Sequence, residues 1–276
     1  MGDSPLYGSR SAGRITITDL AAAKQRGERW PMLTAYDATT AAILDDAGIP
    51  VLLVGDSAAT VVYGYDNTIP VTIDELLPLV RGVVRGSRRA LVVADLPFGS
   101  YQSSVAQAVE TGARFLKDGL AHAVKLEGGI SVLPQVRAMT AAGIPVMAHL
   151  GLTPQSVHQL GGYSVQGRGA AGDRILDEAL QLQEAGAFAL VLEVVPAELA
   201  ARITTALDIP VIGIGAGNAT DAQVLVIHDL LGLTRGHVAK FVKPYAHLDS
   251  AIADAAARWA LDVASGAYPG TEHSYS

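Results

Sequence analysis

What most constrains this chain is a rhythm. Short apolar runs rich in β-branched residues recur along it, each followed by glycine or polar residues and then by a stretch of helical periodicity. Eight such runs are read: Trp30 to Ala35, Val51 to Val54, Leu91 to Ala94, Ala123 to Leu126, Val146 to Leu150, Ala189 to Val194, Val211 to Ile214 and His237 to Val242. The joints in front of them repeat as well. Ala47-Gly48-Ile49-Pro50, Ala142-Gly143-Ile144-Pro145 and Leu207-Asp208-Ile209-Pro210 each precede a run, and Asp118-Gly119 and Ala185-Gly186 are the same joint without proline. Glycine ends a helix in the left-handed conformation, and proline cannot continue one. Strands that are apolar throughout need cover on both faces, which alternating helices supply to a parallel sheet. Eight units in 276 residues match a closed (β/α)8 TIM barrel. An open doubly wound sheet is the alternative, because periodicity is blind to closure.

Between the runs, amphipathic helices are predicted over Asp74 to Arg85, Ser104 to Lys117, Val132 to Ala142, Arg174 to Ala185, Glu198 to Leu207, Asp221 to Leu231 and Leu248 to Ala264. An extra N-terminal helix, Thr16 to Gly27, carries Thr16 and Asp19 at capping-box spacing and is placed to close the barrel floor. One domain is expected over the whole chain, with short loose tails at both ends, the C-terminal one running from Tyr268 to Ser276.

Composition excludes several classes of function. There is no cysteine, so disulfides, a thiol nucleophile and cysteine-ligated metal are out, and any metal must take oxygen or imidazole ligands. The net charge is -7 and no dense basic stripe is present, which argues against nucleic acid as a partner. Met1 to Ser11 has no apolar signal core, and no uncharged run of membrane-spanning length follows. A soluble cytoplasmic protein is expected.

Barrel active sites lie at the carboxyl ends of the strands. There the runs end on polar residues: Asp56-Ser57, Asp95, Lys125 and Glu127, His149, and Glu193. Alternation puts Lys125 and Glu127 on one face of their strand. Three acids on adjacent strands, Asp56, Asp95 and Glu127, repel one another unless a cation intervenes, and Mg2+ is the natural partner for an all-oxygen site. The competing reading has each Asp capping the next helix. Lys125 is read as the counter-charge to a substrate carboxylate, as a Schiff-base former or as a balance for the acids; its acidic neighbours keep it protonated and disfavour the imine. Glu193, across the mouth from the acids, is placed as a general base, with a structural ion pair as its alternative. His149 is read either as a substrate hydrogen-bond donor or as a histidine satisfied by the backbone. Gly213-Ile214-Gly215-Ala216-Gly217 lacks the lysine of a phosphate loop and reads as close packing at the mouth. The glycine-rich stretch Gly161 to Gly169 reads as a lid or as an inert loop.

At these residues the sequence resembles the ketopantoate hydroxymethyltransferases. The likeness runs through Thr34-Ala35-Tyr36-Asp37, Val54-Gly55-Asp56-Ser57, Ala94-Asp95-Leu96-Pro97-Phe98 and Val124-Lys125-Leu126-Glu127-Gly128-Gly129. It continues through His149-Leu150-Gly151-Leu152-Thr153-Pro154-Gln155, Val165-Gln166-Gly167-Arg168, Leu192-Glu193 and Ile212 to Gly217. The resemblance implies α-ketoisovalerate as substrate, chelated to Mg2+ on Asp56 and Asp95 with Glu127 completing the site. It further implies Ser57 and Lys125 as substrate holders, Glu193 as proton acceptor and 5,10-methylenetetrahydrofolate as carbon donor. A homo-oligomer, a decamer in this family, and a place in pantothenate synthesis follow from the same likeness. Ala58-Ala59 departs from the Leu-Gly found in many relatives and bears on pocket shape. Two other functions compete: a Mg-dependent carbon–carbon lyase of the phosphoenolpyruvate mutase and isocitrate lyase type, which commonly uses a cysteine this chain lacks, and a non-catalytic barrel that only binds a keto acid.

Overall fold

The computed structural model describes Leu6 and residues 13–236 and 238–275. Eight parallel strands, β1 (Trp30–Thr34), β2 (Val51–Val54), β3 (Leu91–Asp95), β4 (Ala123–Glu127), β5 (Val146–Gly151), β6 (Ala189–Glu193), β7 (Val211–Ile214) and β8 (Ala222–Leu225), pair in sequence order. They close into a barrel through Trp30↔Ala222 and Met32↔Val224. The closed barrel is therefore the outcome, and the open sheet is not.

The eighth strand is not where periodicity put it. Ala222–Leu225 closes the barrel inside the segment predicted as a helix, Asp221 to Leu231. Of the predicted strand His237 to Val242, His237 lies outside the described residues and 238–242 form turns and coil. A short apolar run does not distinguish strand from helix by periodicity, and only two waiting edges, β7 and β1, decide for strand. Two further differences are small. A helix over Ala38–Asp46, capped by the Asp37 side chain on the Thr40 N–H, joins β1 to β2, and the helix predicted from Arg174 begins a turn earlier, at Ala170–Glu184.

The other helices after the strands, Ile73–Gly86, Val105–Lys117, Leu133–Ala141 and Ala197–Ala206, fall within a few residues of their predicted positions. Gly48, Gly143 and Gly186 have φ of 88°, 82° and 95°, the left-handed ends expected of these joints. The N-terminal helix, Ile17–Gln25, has the Thr16–Asp19 capping box in full. Its Leu20 and Ala23 are buried in one apolar cluster with Trp30, Met32, Val51, Leu91 and Ala123 from the strand beginnings, so it plugs the barrel floor. Lys24 fixes it there, donating to the Thr204 carbonyl at 2.9 Å and to Asp221 at 2.8 Å.

By internal contacts the chain forms two compact units, Met1–Val226, which holds the whole barrel, and Ile227–Ser276. The second consists of a short helix (Ile227–Leu230), a long one (Leu248–Ser265) and a 3-10 turn (Thr271–His273). Within it the Tyr268 ring stands edge-on to Trp259 at 6.5 Å and lies 5.3 Å from the His273 ring. Ser276 and most of Met1 to Ser11 lie outside the described residues. Among the described residues no helix is long and apolar enough to cross a membrane.

Candidate active site

The barrel interior is layered along each strand. Inward positions begin apolar, as in Leu91 and Val93 of β3, Ala123 of β4, Met147 of β5 and Ala189 and Val191 of β6. Two residues on, the same faces carry Asp95, Lys125 and then Glu127, His149 and Glu193. Register places these residues side by side: Asp95 pairs with Lys125, Glu127 with His149, and Gly151 with Glu193. The outward positions, Val92, Ala94, Val124, Leu126, Ala148, Leu150, Leu190 and Leu192, are all buried. A side chain on the inner face of a strand end therefore has no route outward and points into the mouth.

The polar groups make one continuous network. Lys125 Nζ lies 2.7 Å from Asp95 Oδ1, with both side chains at most 5% exposed. Asp95 Oδ2 accepts the Asp56 N–H at 3.1 Å. Gln155 donates from Nε2 to Asp56 Oδ2 at 2.9 Å and from its backbone N–H to Glu127 Oε2 at 3.0 Å. His149 stands between two acids, Nδ1 at 3.4 Å from Glu127 Oε1 and Nε2 at 3.3 Å from Glu193 Oε2, and Lys125 Nζ is also 3.4 Å from Nδ1. Ser57 shares a hydrogen bond with the Tyr36 hydroxyl at 2.8 Å. Gly55 keeps the approach clear, since a Cβ there would sit 2.7 Å from Ser57 Oγ and 3.5 Å from Asp95 Oδ2.

All the sequence-predicted residues, Asp56, Ser57, Asp95, Lys125, Glu127, His149 and Glu193, thus gather at one end of the barrel. The capping alternative does not occur for the two aspartates: the N-cap positions of the helices after β2 and β3 are Ser57, Thr72 and Ser104. Nor is His149 held by a backbone carbonyl. Three residues without a predicted role join the site. Tyr36 supports Ser57, Gln155 bridges Asp56 to Glu127, and Tyr101 Oη lies 2.8 Å from Gln155 Oε1 and 3.0 Å from the Glu127 carbonyl. Tyr36 and Gln155 stand in motifs already singled out, just beyond the ends of β1 and β5. Tyr101 carries no such signal.

Charge is unbalanced here. Burial, then the neighbouring charges of Asp95 and Glu127, drive the Asp56 carboxyl well above the usual range. Burial also raises Asp95, against the pull of Lys125. Burial, the largest single influence, would raise Glu127 too, but the hydrogen bond and charge of His149, the charge of Lys125 and the Gln155 N–H together outweigh it and hold the group low. For Lys125 burial opposes the charged form, yet Asp95, Glu127 and Asp56 prevail and the ammonium is held above its ordinary value. For His149, burial and Lys125 disfavour the cation, while Glu127 and Glu193 favour it and push the group up to about 9. Lys125 therefore answers Asp95 and His149 answers Glu127, and Asp56 is the buried acid left short of a counter-charge.

Around the mouth, Gly217 has a φ of 78° and a Cβ on it would come 2.5 Å from that of Ala197, so the glycine run after β7 is close packing, as expected. Among the described residues no three Asp, Glu or His side chains are arranged to enclose an ion by themselves.

The family model described as ketopantoate hydroxymethyltransferase matches residues 14–271. A 3-methyl-2-oxobutanoate hydroxymethyltransferase of Frankia casuarinae is 63% identical over 95% of this chain and 88% of its own length. One from Rhodococcus jostii is 62% identical over 98% and 95%. Solved structures similar in fold include phosphonopyruvate hydrolase in complex with oxalate and Mg++ (TM-score 0.60, 13% identity, 93% of this chain and 92% of that one). A 2,3-dimethylmalate lyase of the PEP mutase/isocitrate lyase superfamily aligns with a TM-score of 0.58 at 17% identity, over 94% and 91%. At such identities the second pair speaks for the barrel alone.

Proposed function

The chain belongs to the ketopantoate hydroxymethyltransferase family, and from that membership we propose that it moves a one-carbon unit from 5,10-methylenetetrahydrofolate to α-ketoisovalerate, making ketopantoate for pantothenate and coenzyme A synthesis. The observation that carries the reading is the charge imbalance at the mouth, where Asp56, Asp95 and Glu127 converge on one lysine. Such a site calls for a cation. Mg2+ suits the donor set, because it prefers oxygen and takes one or two protein carboxylates, leaving positions for substrate and water. Asp56 and Asp95 would hold it. Glu127 completes the site from behind, since the Gln155 N–H and His149 already engage its oxygens. Bound there, the ion would lower the cost of an enolate by drawing charge from the keto oxygen.

The chain's own residues supply the rest. Lys125, held as ammonium, opposes the substrate carboxylate, and Ser57, oriented by Tyr36, hydrogen-bonds the substrate beside it. Glu193, with its side chain 18% exposed, is the least enclosed acid of the network and is reachable by a bound ligand. It takes the proton from C3. The C3–H electron pair becomes the enolate, C3 bonds to the methylene carbon of the folate as one of its two carbon–nitrogen bonds breaks, water supplies the hydroxyl oxygen as the second breaks, and the proton taken by Glu193 and one from the water go to the two nitrogens of the departing tetrahydrofolate. His149, 3.3 Å from Glu193, steadies the carboxylate and fixes its direction. A cytoplasmic homo-oligomer belongs to the same reading.

The test is direct. Purified protein, α-ketoisovalerate, methylenetetrahydrofolate and Mg2+ are mixed and ketopantoate is measured; no product with any divalent metal refutes the proposal. Cleavage of a keto acid without folate would point to the lyase instead.

A further inference from the structure

A cavity of about 260 Å³ opens beside the polar ring, bounded by Gly128, Gly129, Gly151, Gln166, Arg174 and Glu178. It touches the site at two points. Gly128 directly follows Glu127, and Gly151 is the register partner of Glu193. The cavity is smaller than the roughly 300–1,000 Å³ that encloses a drug-sized ligand, so it suits one ring system rather than a whole cofactor.

Its walls are of two kinds. Leu150 and Ile175 are aliphatic and offer a ring an apolar face, while at Gly128, Gly129 and Gly151 a Cβ would strike the chain's own atoms, so these glycines let the wall itself pack tightly. On the helix Ala170–Glu184, Arg174 and Glu178 are one turn apart and both line the space. The Glu178 carboxylate rests against Gly129, where a Cβ would come within 2.3 Å of it, and accepts the Ile130 N–H at 3.4 Å. The Arg174 side chain is exposed and makes no hydrogen bond or ion pair among the described residues. Neither residue takes part in the chemistry at the strand ends.

We propose that this cavity seats the pterin ring of the folate donor, with Glu178 accepting two hydrogen bonds from the ring's N3–H and 2-amino edge and Arg174 meeting the glutamate carboxylate of the tail at the rim. A carboxylate matches that donor–donor edge bidentately, as it matches a guanidinium. The half-buried acid and the exposed arginine give the order, ring inside and tail toward solvent. The inference rests on the folate-dependent reading above and adds to it where the second substrate binds.

Three binding and exchange measurements test it. Tetrahydrofolate and a tail-less tetrahydropterin are titrated against wild type, Glu178→Gln and Arg174→Ala, and exchange of the C3 proton of α-ketoisovalerate with D₂O is followed by NMR with Mg2+ and no folate. Glu178→Gln is expected to weaken both pterins about tenfold to a hundredfold, the effect of losing a charged hydrogen-bond pair, with proton exchange unchanged. Arg174→Ala should weaken tetrahydrofolate alone. Ala171→Leu, which fills the cavity from its edge, should weaken both pterins and leaves Glu178 in place. Glu178→Gln and Ala171→Leu that exchange the proton normally yet bind tetrahydrofolate within twofold of wild type overturn the proposal. So does a wild type that exchanges the proton but binds no tetrahydrofolate, an outcome that leaves the keto-acid site standing. Wild type that binds tetrahydrofolate through Glu178 but exchanges no proton overturns the enolate chemistry and not the pocket.

Discussion

Replacing Lys125 by methionine removes one charge from the buried ring while keeping most of the side chain's volume, and its cost can be worked from the structure. Asp95 Oδ1 loses a partner at 2.7 Å in a place where neither side chain is more than 5% exposed. Breaking a buried pair from one side typically costs about 3–5 kcal/mol. Protonation limits the damage: neutralising a carboxylate of ordinary pKa near 3.9 at pH 7 costs about 4 kcal/mol, at 1.36 kcal/mol per pH unit. Because burial already raises Asp95, neutralising it costs less than that, and a loss of about 3 kcal/mol at pH 7 is expected. The sign of its pH dependence follows. Asp95 is already raised by burial and rises further without Lys125. A carboxyl whose folded pKa lies above its unfolded value binds more protons folded than unfolded, so the deficit is largest near neutral pH and shrinks toward pH 4. Urea denaturation of wild type and Lys125→Met at pH 7 and pH 5, in chelator, measures both. Added Mg2+ should recover part of the loss. A deficit below about 1 kcal/mol at pH 7, or one that grows on acidification, would refute the electrostatic account of the site.

Glu193→Gln should lower turnover and C3 proton exchange by about a hundredfold to ten-thousandfold while keto acid still binds; exchange at the wild-type rate would show that Glu193 is not the base. Chelation should abolish activity, and Asp95→Ala should not recover at ordinary Mg2+ concentrations, so full turnover in a chelator removes the metal from the mechanism. Borohydride with keto acid present should leave Lys125 unmodified, because its acidic neighbours keep the ammonium protonated; mass spectrometry of a trapped adduct would reverse that assignment. Gly86→Ala should destabilise by about 1–2 kcal/mol in thermal or urea unfolding, since a Cβ there meets the Ala38 carbonyl oxygen at 2.2 Å and the overpacking exceeds the gain in helix propensity. Unchanged stability would mean that the two helices separate at no cost.

Seven of the eight strands and the side chains that end them were legible in the sequence, because each depends on short-range regularities. A buried strand shows as a continuous apolar run, a helix end as glycine or proline, and the polar end of a run as a departure from both. The family likeness adds the proposed substrate-holding role of Ser57 and the proposed folate donor, neither of which any local pattern carries. Closure was a different matter. Ala222–Leu225 looks helical in isolation and becomes a strand only because β1 and β7 present unpaired edges on either side of it. The network was equally hidden: Gln155 reaches Asp56 across 99 residues and Tyr101 reaches Gln155 across 54. His149 came to lie between Glu127 and Glu193 through the register of β4, β5 and β6, which is set by the packing of the whole barrel and not by any local pattern. Which residues are polar at the strand ends is local information; which of them touch is decided by hydrogen bonds between strands far apart in the chain.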